Sequence, residues 1–299
     1  MRRTDWAALW RELASRDIQA SDEGAAQMVE RWRGVARKLD SGEKQDPDPL
    51  LDHVLGRVTA EMTVLDVGAG IGRWTLPMAG RVRRVTAVEP LQGMRQVLLE
   101  RATAQGIANL DVLDAPWLTA QVPPHDVVVA AHATYTTTDL LGFVRKMETS
   151  ARRSCYLALR VPAHDGIIGE LSERINRRWH DSPNFIVGYN LLLSAGFHPN
   201  VLMEPTAVRR WTDPTLEAAA ARAKRHLHID DDRHDATIRE VLHRRLVYAD
   251  GIYRWPDGMR SALIWWDTAL HSFRHPRFAW LVWQVHRSPQ KRFPLPRVE

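Results

Sequence analysis

Between residues 62 and 161 the sequence alternates short β-branched runs with longer stretches of helical pattern. The runs are MTVLDVG, RRVTAVEP, ANLDVLDA, HDVVVAAH and SCYLALRV. A strand that returns to the same sheet in parallel needs a crossover connection, which is usually a helix. The VVVA run is apolar on both faces, as expected of a strand that is covered on each side. The pattern predicts an α/β fold with a mainly parallel sheet.

The composition is that of a globular protein with a sizeable core. Of the 299 residues 44% are hydrophobic and 26% are charged, which is far from the composition of disordered chains. The longest apolar run, VVVAAHA, is much shorter than a membrane span, and the start, MRRTDWAALW, is charged where a signal peptide is apolar. The single cysteine, Cys155, excludes an internal disulfide and a thiolate zinc site. We therefore expect a cytoplasmic protein with no membrane partner.

Four parts of the chain differ in pattern. They are an N-terminal helical cap (1–60), the core with the strands (61–213), a charged helical insertion (214–260), and a last strand, SALIWW, with a basic aromatic tail (261–299). The insertion contains RHLHIDDDRHD, whose residue types can bind metals. Its charge density before a predicted helix favours a solvated loop, so no metal site is predicted.

The segment VLDVGAGIGRW, residues 64–74, is the most informative for chemistry. Gly68, Gly70 and Gly72 follow a predicted strand and precede a helix. Glycines there let the chain turn tightly and let the backbone approach a ligand without obstruction by Cβ atoms. The spacing is G-x-G-x-G, because position 73 is Arg, and this argues against the dinucleotide pattern G-x-G-x-x-G.

Two acidic residues flank this turn. Asp66 lies two residues before the first glycine, where a carboxylate suits a ligand with an ammonium group and repels a pyrophosphate. Glu89 ends the next strand, about 20 residues on, where an acid can accept hydrogen bonds from ribose hydroxyls. The ligand indicated is a nucleoside with an amino acid end.

With these residues in this order, the sequence resembles the class I S-adenosylmethionine-dependent methyltransferases over roughly residues 50–205. The resemblance implies a Rossmann-like, doubly wound, mainly parallel seven-stranded sheet, with the helical cap before it and the insertion before its last strand. It implies S-adenosylmethionine as the cofactor. The first motif of the family, which holds the methionine part, corresponds to Asp66, Gly68, Ala69, Gly70 and Gly72, and Glu89 corresponds to the ribose-binding acid.

The resemblance also implies an adenine site. Pro90, Leu91 and Met94 fall where the family packs residues against adenine, and Asp114 and Ala115 match its third motif. Several of these residues could instead have a purely structural role. Asp66, Glu89 and Asp114 can serve as turn or strand-end residues, and Met94 can fill the core.

His132, just after HDVVVAA, falls where the fourth motif lines the space between cofactor and substrate. A histidine there can take a proton from an attacking hydroxyl, thiol or amine, so His132 is the candidate catalytic base and a candidate cofactor contact. Capping a turn is the alternative role. Tyr135, three residues on, is a second candidate.

The predicted function is methyl transfer to O, N or S of a small apolar or aromatic molecule. Twelve tryptophans, among them Trp6, Trp10 and Trp32 in the cap and Trp280 and Trp283 in the tail, could line an aromatic pocket.

The segment AAHATY replaces the Asn/Asp-Pro-Pro-aromatic motif of amino methylases, which disfavours nucleic acid as the acceptor. Two alternatives stay open, a protein or RNA methyltransferase recruited by the basic tail and a non-catalytic cofactor-binding partner subunit. Homo-oligomer formation also stays open.

Overall fold

A computed structural model of the protein describes residues 4–20, 25–41, 47–162, 166–177, 182–205, 211–227, 229–256 and 260–268. The predicted basic tail, with Trp280 and Trp283, lies outside the described residues. In chain order the elements are α1 (Trp6–Ala20), α2 (Ala25–Asp40), α3 (Pro49–Leu55), β1 (Thr63–Val67), α4 (Thr75–Ala79), β2 (Arg84–Val88), α5 (Gln92–Ala104), β3 (Leu110–Leu113), β4 (His125–Ala131), α6 (Leu140–Ser150), β5 (Ala151–Val161), α7 (Ile167–Asn176), α8 (Phe185–Ser194), β6 (Asn200–Met203), β7 (Thr212–Asp213), α9 (Leu216–Leu227), α10 (Asp235–Arg245), β8 (Val247–Ala249), β9 (Ile252–Arg254) and β10 (Arg260–Asp267).

The main sheet has seven strands in the order β3-β2-β1-β4-β5-β10-β6. Strands β1 to β5 pair in parallel, and β10 lies antiparallel between β5 and β6. The order reverses between β1 and β4, and open sheets of this type bind ligands in the crevice beyond the carboxyl ends of such strands. The predicted fold class is confirmed, including SALIWW as the closing strand.

Both faces of the sheet are covered because neighbouring residues of one strand point to opposite sides. On β1, Leu65 packs in the cluster that contains α1, α6 and α8, whereas Val64 packs with α3 and α4. The VVVA run, residues 127–130, is at most 2% exposed. This burial explains why the run is apolar on both faces.

Helix α1 of the cap contacts the loop after β4, and helix α2 packs on helix α5. Trp10 of α1 is fully buried, and its Nε1–H donates to the carbonyl oxygen of Thr137 at 2.9 Å. Helix α2 packs on α5 so closely that a Cβ on Gly93 would lie 2.6 Å from Val29 Cγ2. The cap therefore touches the loop after β4 and the helix after β2.

Helices α9 and α10 of the insertion pack with α7, which lies outside the predicted insertion, in a separate hydrophobic cluster. The insertion also contains two strands, β8 and β9, which form a small antiparallel sheet with β7. Three acids of RHLHIDDDRHD pair with cations, Asp231 with Arg233 and both Asp232 and Asp235 with Lys224. Within the described ranges no cluster of three or more His, Cys, Asp or Glu is placed to hold a metal. The boundaries at 60, 213 and 260 stay predictions.

None of the helices in the described part of the chain is long and apolar enough to cross a membrane.

Candidate active site

The glycine loop follows β1, and all three of its glycines have positive φ, 72° at Gly68, 54° at Gly70 and 84° at Gly72. A Cβ on Gly68 would lie 2.4 Å from Ala133 Cβ, and one on Gly72 would lie 2.4 Å from Leu98 Cδ1. At Gly70, apart from the glycine and its two chain neighbours, no heavy atom of the described chain lies within 4 Å of that position. Packing thus requires the outer two glycines, whereas Gly70 borders open space that a ligand can fill.

Asp66 lies on β1 just before this loop and is 2% exposed. Its carboxylate accepts a hydrogen bond from Thr75 Oγ1 at 2.6 Å. Burial raises the pKa of Asp66 to about 6, the Thr75 hydroxyl opposes the shift, and the charge of Glu89 adds to it. A ligand ammonium would supply the positive charge that favours the ionised carboxylate. The buried acid therefore fits the amino acid end of S-adenosylmethionine.

Glu89, directly after β2, joins the glycine loop to the turn before α5. One carboxylate oxygen accepts from the N–H of Gly70 and the other from the N–H of Leu91, each at 2.9 Å. Burial raises the pKa of Glu89, and these two hydrogen bonds oppose the shift. A carboxylate oxygen can accept more than one hydrogen bond. Glu89 thus fits the ribose diol while it holds the loop in place.

The residues implied for the adenine site lie along the same edge. Pro90 is exposed, and Leu91 and Ala115 are partly buried. The Asp114 side chain is 69% exposed and pairs with Arg95 at 2.6 Å, and Arg95 also donates to the Glu89 carbonyl oxygen. All four positions are open to an adenine contact, which stays a prediction.

Met94 differs from these residues because its side chain is only 4% exposed. It packs with Ala36 of α2 and with Ile71 and Val97. This environment favours the core-filling role, and the adenine role of Met94 stays a prediction.

His132 follows β4 with φ of 58°, and its backbone N–H donates to the carbonyl oxygen of Ala158 at 3.0 Å. Its Nδ1 lies 2.7 Å from Tyr135 Oη, and its Nε2 lies 3.3 Å from Ser261 Oγ. Burial lowers the pKa of His132 to about 4, and the positive charges of Arg73 and Arg160 contribute. The imidazole is therefore neutral at physiological pH, with both ring nitrogens in hydrogen bonds. Its catalytic role stays a prediction.

Two polar residues beside His132 were not predicted from the sequence. Ser261 is the second residue of β10, and Glu204 follows β6 and is 8% exposed. The backbone N–H of Ser261 donates to Glu204 Oε2 at 2.6 Å. Because β10 runs antiparallel, its first residues lie at the edge where the parallel strands end. The orientation of the last strand is the signal that would have pointed to Ser261.

Arg73 and Asp48 form another pair near His132 that the sequence did not reveal. Arg73 Nη2 lies 2.7 Å from Asp48 Oδ2, which also accepts from the Nε1–H of Trp74 at 3.1 Å. The other oxygen of Asp48 accepts from the N–H of Leu51 and caps α3. Helix α3 is thereby tied to the end of the glycine loop.

The seven-stranded sheet, with a glycine loop flanked by two buried acids, is the arrangement that the resemblance to the class I S-adenosylmethionine-dependent methyltransferases implies. Residues 64–153 match a family model described as a methyltransferase domain. This match covers the glycine loop and both acids, and it supports a methyltransferase domain in this part of the chain, as the sequence indicated.

Two curated proteins and one solved structure illustrate the similarity. The chain is 30% identical over 98 residues to the probable ribosomal RNA small subunit methyltransferase A of Methanosphaera stadtmanae, which covers 31% of this chain and 36% of that protein. It is 25% identical over 226 residues to an uncharacterized protein of Haemophilus influenzae, which covers 70% of this chain and 78% of that one. The structure of a putative methyltransferase from Bacillus halodurans aligns with a TM-score of 0.51 at 14% identity, covering 73% of this chain and 96% of that one. The chain thus spans about a third of the first relative's length, and the structural likeness concerns the fold.

Proposed function

We propose that the protein transfers the methyl group of S-adenosylmethionine to an oxygen, nitrogen or sulfur atom of a small apolar or aromatic molecule. The observation that carries the proposal is the position of the N-terminal cap. Trp10 of α1 is bonded to the loop after β4, and α2 packs on α5 beside the glycine loop. A site bordered by helices on both sides favours an acceptor that can enter a confined space.

The aromatic residues of the cap differ in how deeply they are buried. Trp10 is fully buried and contributes to the core. Trp32 is only partly buried and packs beside Ile71 and Leu91, which flank the two backbone turns of the cofactor site. Trp32 therefore supports an apolar or aromatic acceptor more directly than Trp10 does.

Each part of the site has a separate task in this proposal. Asp66 would bind the ammonium group of the cofactor, Glu89 would bind the ribose hydroxyls, and the glycine loop would contribute backbone N–H groups. When bound, S-adenosylmethionine supplies a methyl group that is already activated by the positive sulfur. The chain's own residues then orient the acceptor, exclude water and remove at most one proton.

The RNA alternative gains support from the partial similarity to the ribosomal RNA methyltransferase. The described residues around His132 favour a small acceptor instead, because Arg73 is paired with Asp48 and Arg160 lies over the Tyr135 ring, so this edge is not a strongly basic surface. Polyanion binding relies on unneutralised Lys and Arg. A small molecule therefore remains the proposed acceptor.

The test uses S-adenosylmethionine that carries a radioactive methyl group. The protein is incubated with it and with three separated fractions of a bacterial extract, which contain small molecules, RNA or protein. Glu89→Ala serves as the control for activity that depends on the cofactor site. We expect label in the small-molecule fraction, and none with the variant.

Other patterns of labelling would contradict the proposal. Label in RNA or protein alone would support recruitment of a macromolecule, and its loss with rising salt would support a polyanion. Cofactor binding without label in any fraction would support the non-catalytic partner subunit.

A further inference from the structure

The glycine loop is held at two neighbouring residues by charged side chains. Glu89 accepts a hydrogen bond from the N–H of Gly70. The next residue, Ile71, is held through its carbonyl oxygen, which accepts a hydrogen bond from Arg101 Nη1 at 2.6 Å. Arg101 lies in the last turn of α5, and its side chain is only 10% exposed. The loop is therefore fixed both by the acid that follows β2 and by a cation of α5.

Arg101 is itself oriented by the cap. Its Nε–H donates to Asp40 Oδ2 at 2.7 Å, and its Nη2 donates to Asp40 Oδ1 at 2.9 Å. Asp40 is the last residue of α2, and its Oδ1 also accepts from Gln105 Nε2 at 3.2 Å. A guanidinium is planar and its donors have fixed directions, so pairing Nε and Nη2 with one carboxylate fixes the direction of Nη1. Asp40 thereby directs the remaining donor of Arg101 to the Ile71 carbonyl.

The position of Ile71 in the loop makes this hydrogen bond important. Ile71 stands between Gly70 and Gly72, which have φ of 54° and 84°. Because glycine loses more conformational freedom on folding than any other residue, a loop with alternate glycines needs contacts that keep it in one conformation. The Ile71 side chain makes one such contact, since it is 3% exposed and packs with Ala36 of α2. Its carbonyl makes another with Arg101, and both contacts involve helices outside the loop.

We propose that Arg101 is a positioning residue of the cofactor site, oriented by Asp40 of the cap, and that docking of α2 and binding of S-adenosylmethionine therefore stabilise each other. The inference rests on the proposed function and deepens it, because it gives the N-terminal cap a part in cofactor binding. When a loop is in its binding conformation for a smaller fraction of the time, the apparent dissociation constant rises in proportion. Coupling of this kind is reciprocal, so a bound cofactor must also hold α2 more firmly.

A second ion pair between the same two helices provides a matched control. Arg33 Nη1 of α2 lies 3.2 Å from Glu100 Oε2 of α5, and these side chains are 33% and 51% exposed. Among the described residues, neither Arg33 nor Glu100 is hydrogen-bonded to the glycine loop. Exposed ion pairs contribute little to stability. Arg33→Gln thus removes an ion pair between α2 and α5 but leaves the donor to Ile71 in place.

The first experiment is hydrogen exchange of the cofactor-free full chain, followed by mass spectrometry. Arg101→Lys keeps the positive charge, but an ammonium group cannot reproduce the planar set of three hydrogen bonds. We expect the peptide with residues 66–74 to exchange about threefold to tenfold faster in Arg101→Lys than in the unmodified protein. Arg33→Gln should leave that peptide unchanged. Equal loop exchange in the two variants would overturn the positioning role.

The second experiment is calorimetric titration with S-adenosylmethionine. Arg101→Lys should weaken binding about tenfold and Asp40→Asn about fivefold, whereas Arg33→Gln should have little effect. Since Asp40 acts through Arg101, the double variant should bind within about twofold of Arg101→Lys alone. Two effects that multiply in the double variant would show independent roles and contradict the link. Asp40→Asn leaves α5 unchanged, so it keeps the test decisive if Arg101→Lys is unstable.

Hydrogen exchange with and without saturating S-adenosylhomocysteine tests the reciprocal effect. The bound ligand should slow exchange in residues 25–40 of the unmodified protein and of Arg33→Gln, and should slow it much less in Arg101→Lys. Equal protection of α2 in all three proteins would contradict the coupling. Failure of the unmodified protein to bind either ligand would contradict the proposed function alone. The exchange of the cofactor-free loop would then still decide whether Arg101 positions it.

Discussion

The carboxylate of Glu89 accepts a hydrogen bond from the backbone N–H of Gly70 at 2.9 Å. This contact fixes the glycine loop after β1 to the end of the neighbouring strand β2, beside the crevice where the strand order reverses. The same side chain accepts from Leu91 N–H. A single buried acid therefore organises both backbone turns of the candidate cofactor site before any ligand binds.

Glu89→Gln should weaken S-adenosylmethionine binding by about tenfold or more, equivalent to about 1.4 kcal/mol. The amide replaces one carboxylate oxygen by an NH₂ group, which must face an N–H of the loop or a ribose hydroxyl. Calorimetric titration with S-adenosylmethionine checks this expectation. Glu100→Gln, on exposed α5 surface, is the control. Equal affinity in Glu89→Gln and the control would refute the ribose role.

Two glycines with positive φ, Gly70 and Gly106, allow the cost of backbone strain to be separated from the loss of a ligand contact. Gly70→Ala and Gly106→Ala place Cβ atoms in open space within the described structure at φ of 54° and 67°. Both should lose about 1–2 kcal/mol of unfolding free energy, the cost of a left-handed alanine. Only Gly70→Ala should also lose cofactor affinity, because its Cβ would enter the ligand space. Equal affinities in the two variants would show that Gly70 does not border the cofactor.

Gly68→Ala should be more damaging to stability than Gly70→Ala. Its Cβ would lie 2.4 Å from Ala133 Cβ, a rigid neighbour, in addition to the strain at φ of 72°. We expect a loss of about 2–4 kcal/mol in unfolding free energy. Denaturant unfolding of both variants checks the order, and a Gly68→Ala protein as stable as Gly70→Ala would contradict the packing.

Asp66→Asn should raise the stability of the cofactor-free protein at pH 8 and leave it nearly unchanged at pH 4. The pKa of Asp66 is raised to about 6 from an ordinary 3.8. The folded state therefore holds this proton more tightly than the unfolded state, and stability from this group is present below pH 4 and lost as the pH rises to 6. The expected gain at pH 8 is on the order of 1–3 kcal/mol.

Unfolding by urea at both pH values measures this difference, with Asp52→Asn as the control for loss of an exposed carboxylate. The same Asp66→Asn variant should lose S-adenosylmethionine affinity. A variant that is destabilised equally at both pH values would contradict the raised pKa of Asp66.

His132→Asn should reduce turnover by about tenfold to a hundredfold and change cofactor affinity by less than about threefold. Asparagine is preferred to alanine in this test because His132 has φ of 58°, a left-handed conformation that asparagine tolerates. Turnover is measured from initial rates with the acceptor identified in the labelling experiment, and cofactor affinity is measured by calorimetry with S-adenosylmethionine. An unimpaired rate would exclude a catalytic contribution by His132.

Much of the fold could be predicted from the sequence, because strands and helix ends are indicated by short local patterns of residues. The runs around Val64, Val85 and Val127 predict strands whose burial the structure confirms. Gly196, with φ of 88°, ends helix α8 as its position after NFIVGYNLLLSA indicated. Strands β7 to β9 were not predicted, since two or three residues show no periodicity.

Only the part of the candidate site that lies close together in the sequence could be predicted. Asp66 and Glu89 were found from their spacing to the glycines. Ser261 reaches His132, and Glu204 reaches Ser261, from distant parts of the chain. A single glutamate after a four-residue strand has no pattern that separates it from a surface residue. The antiparallel pairing of β10 brings them together, and no local signal carries that information.

A crystal structure of the protein with S-adenosylhomocysteine tests the central claim most directly. The account predicts the ribose on the carboxylate of Glu89, the ammonium group at Asp66 and the amino acid part along Gly68 to Gly72. A ligand bound elsewhere, or one in this crevice that contacts neither acid, would contradict it.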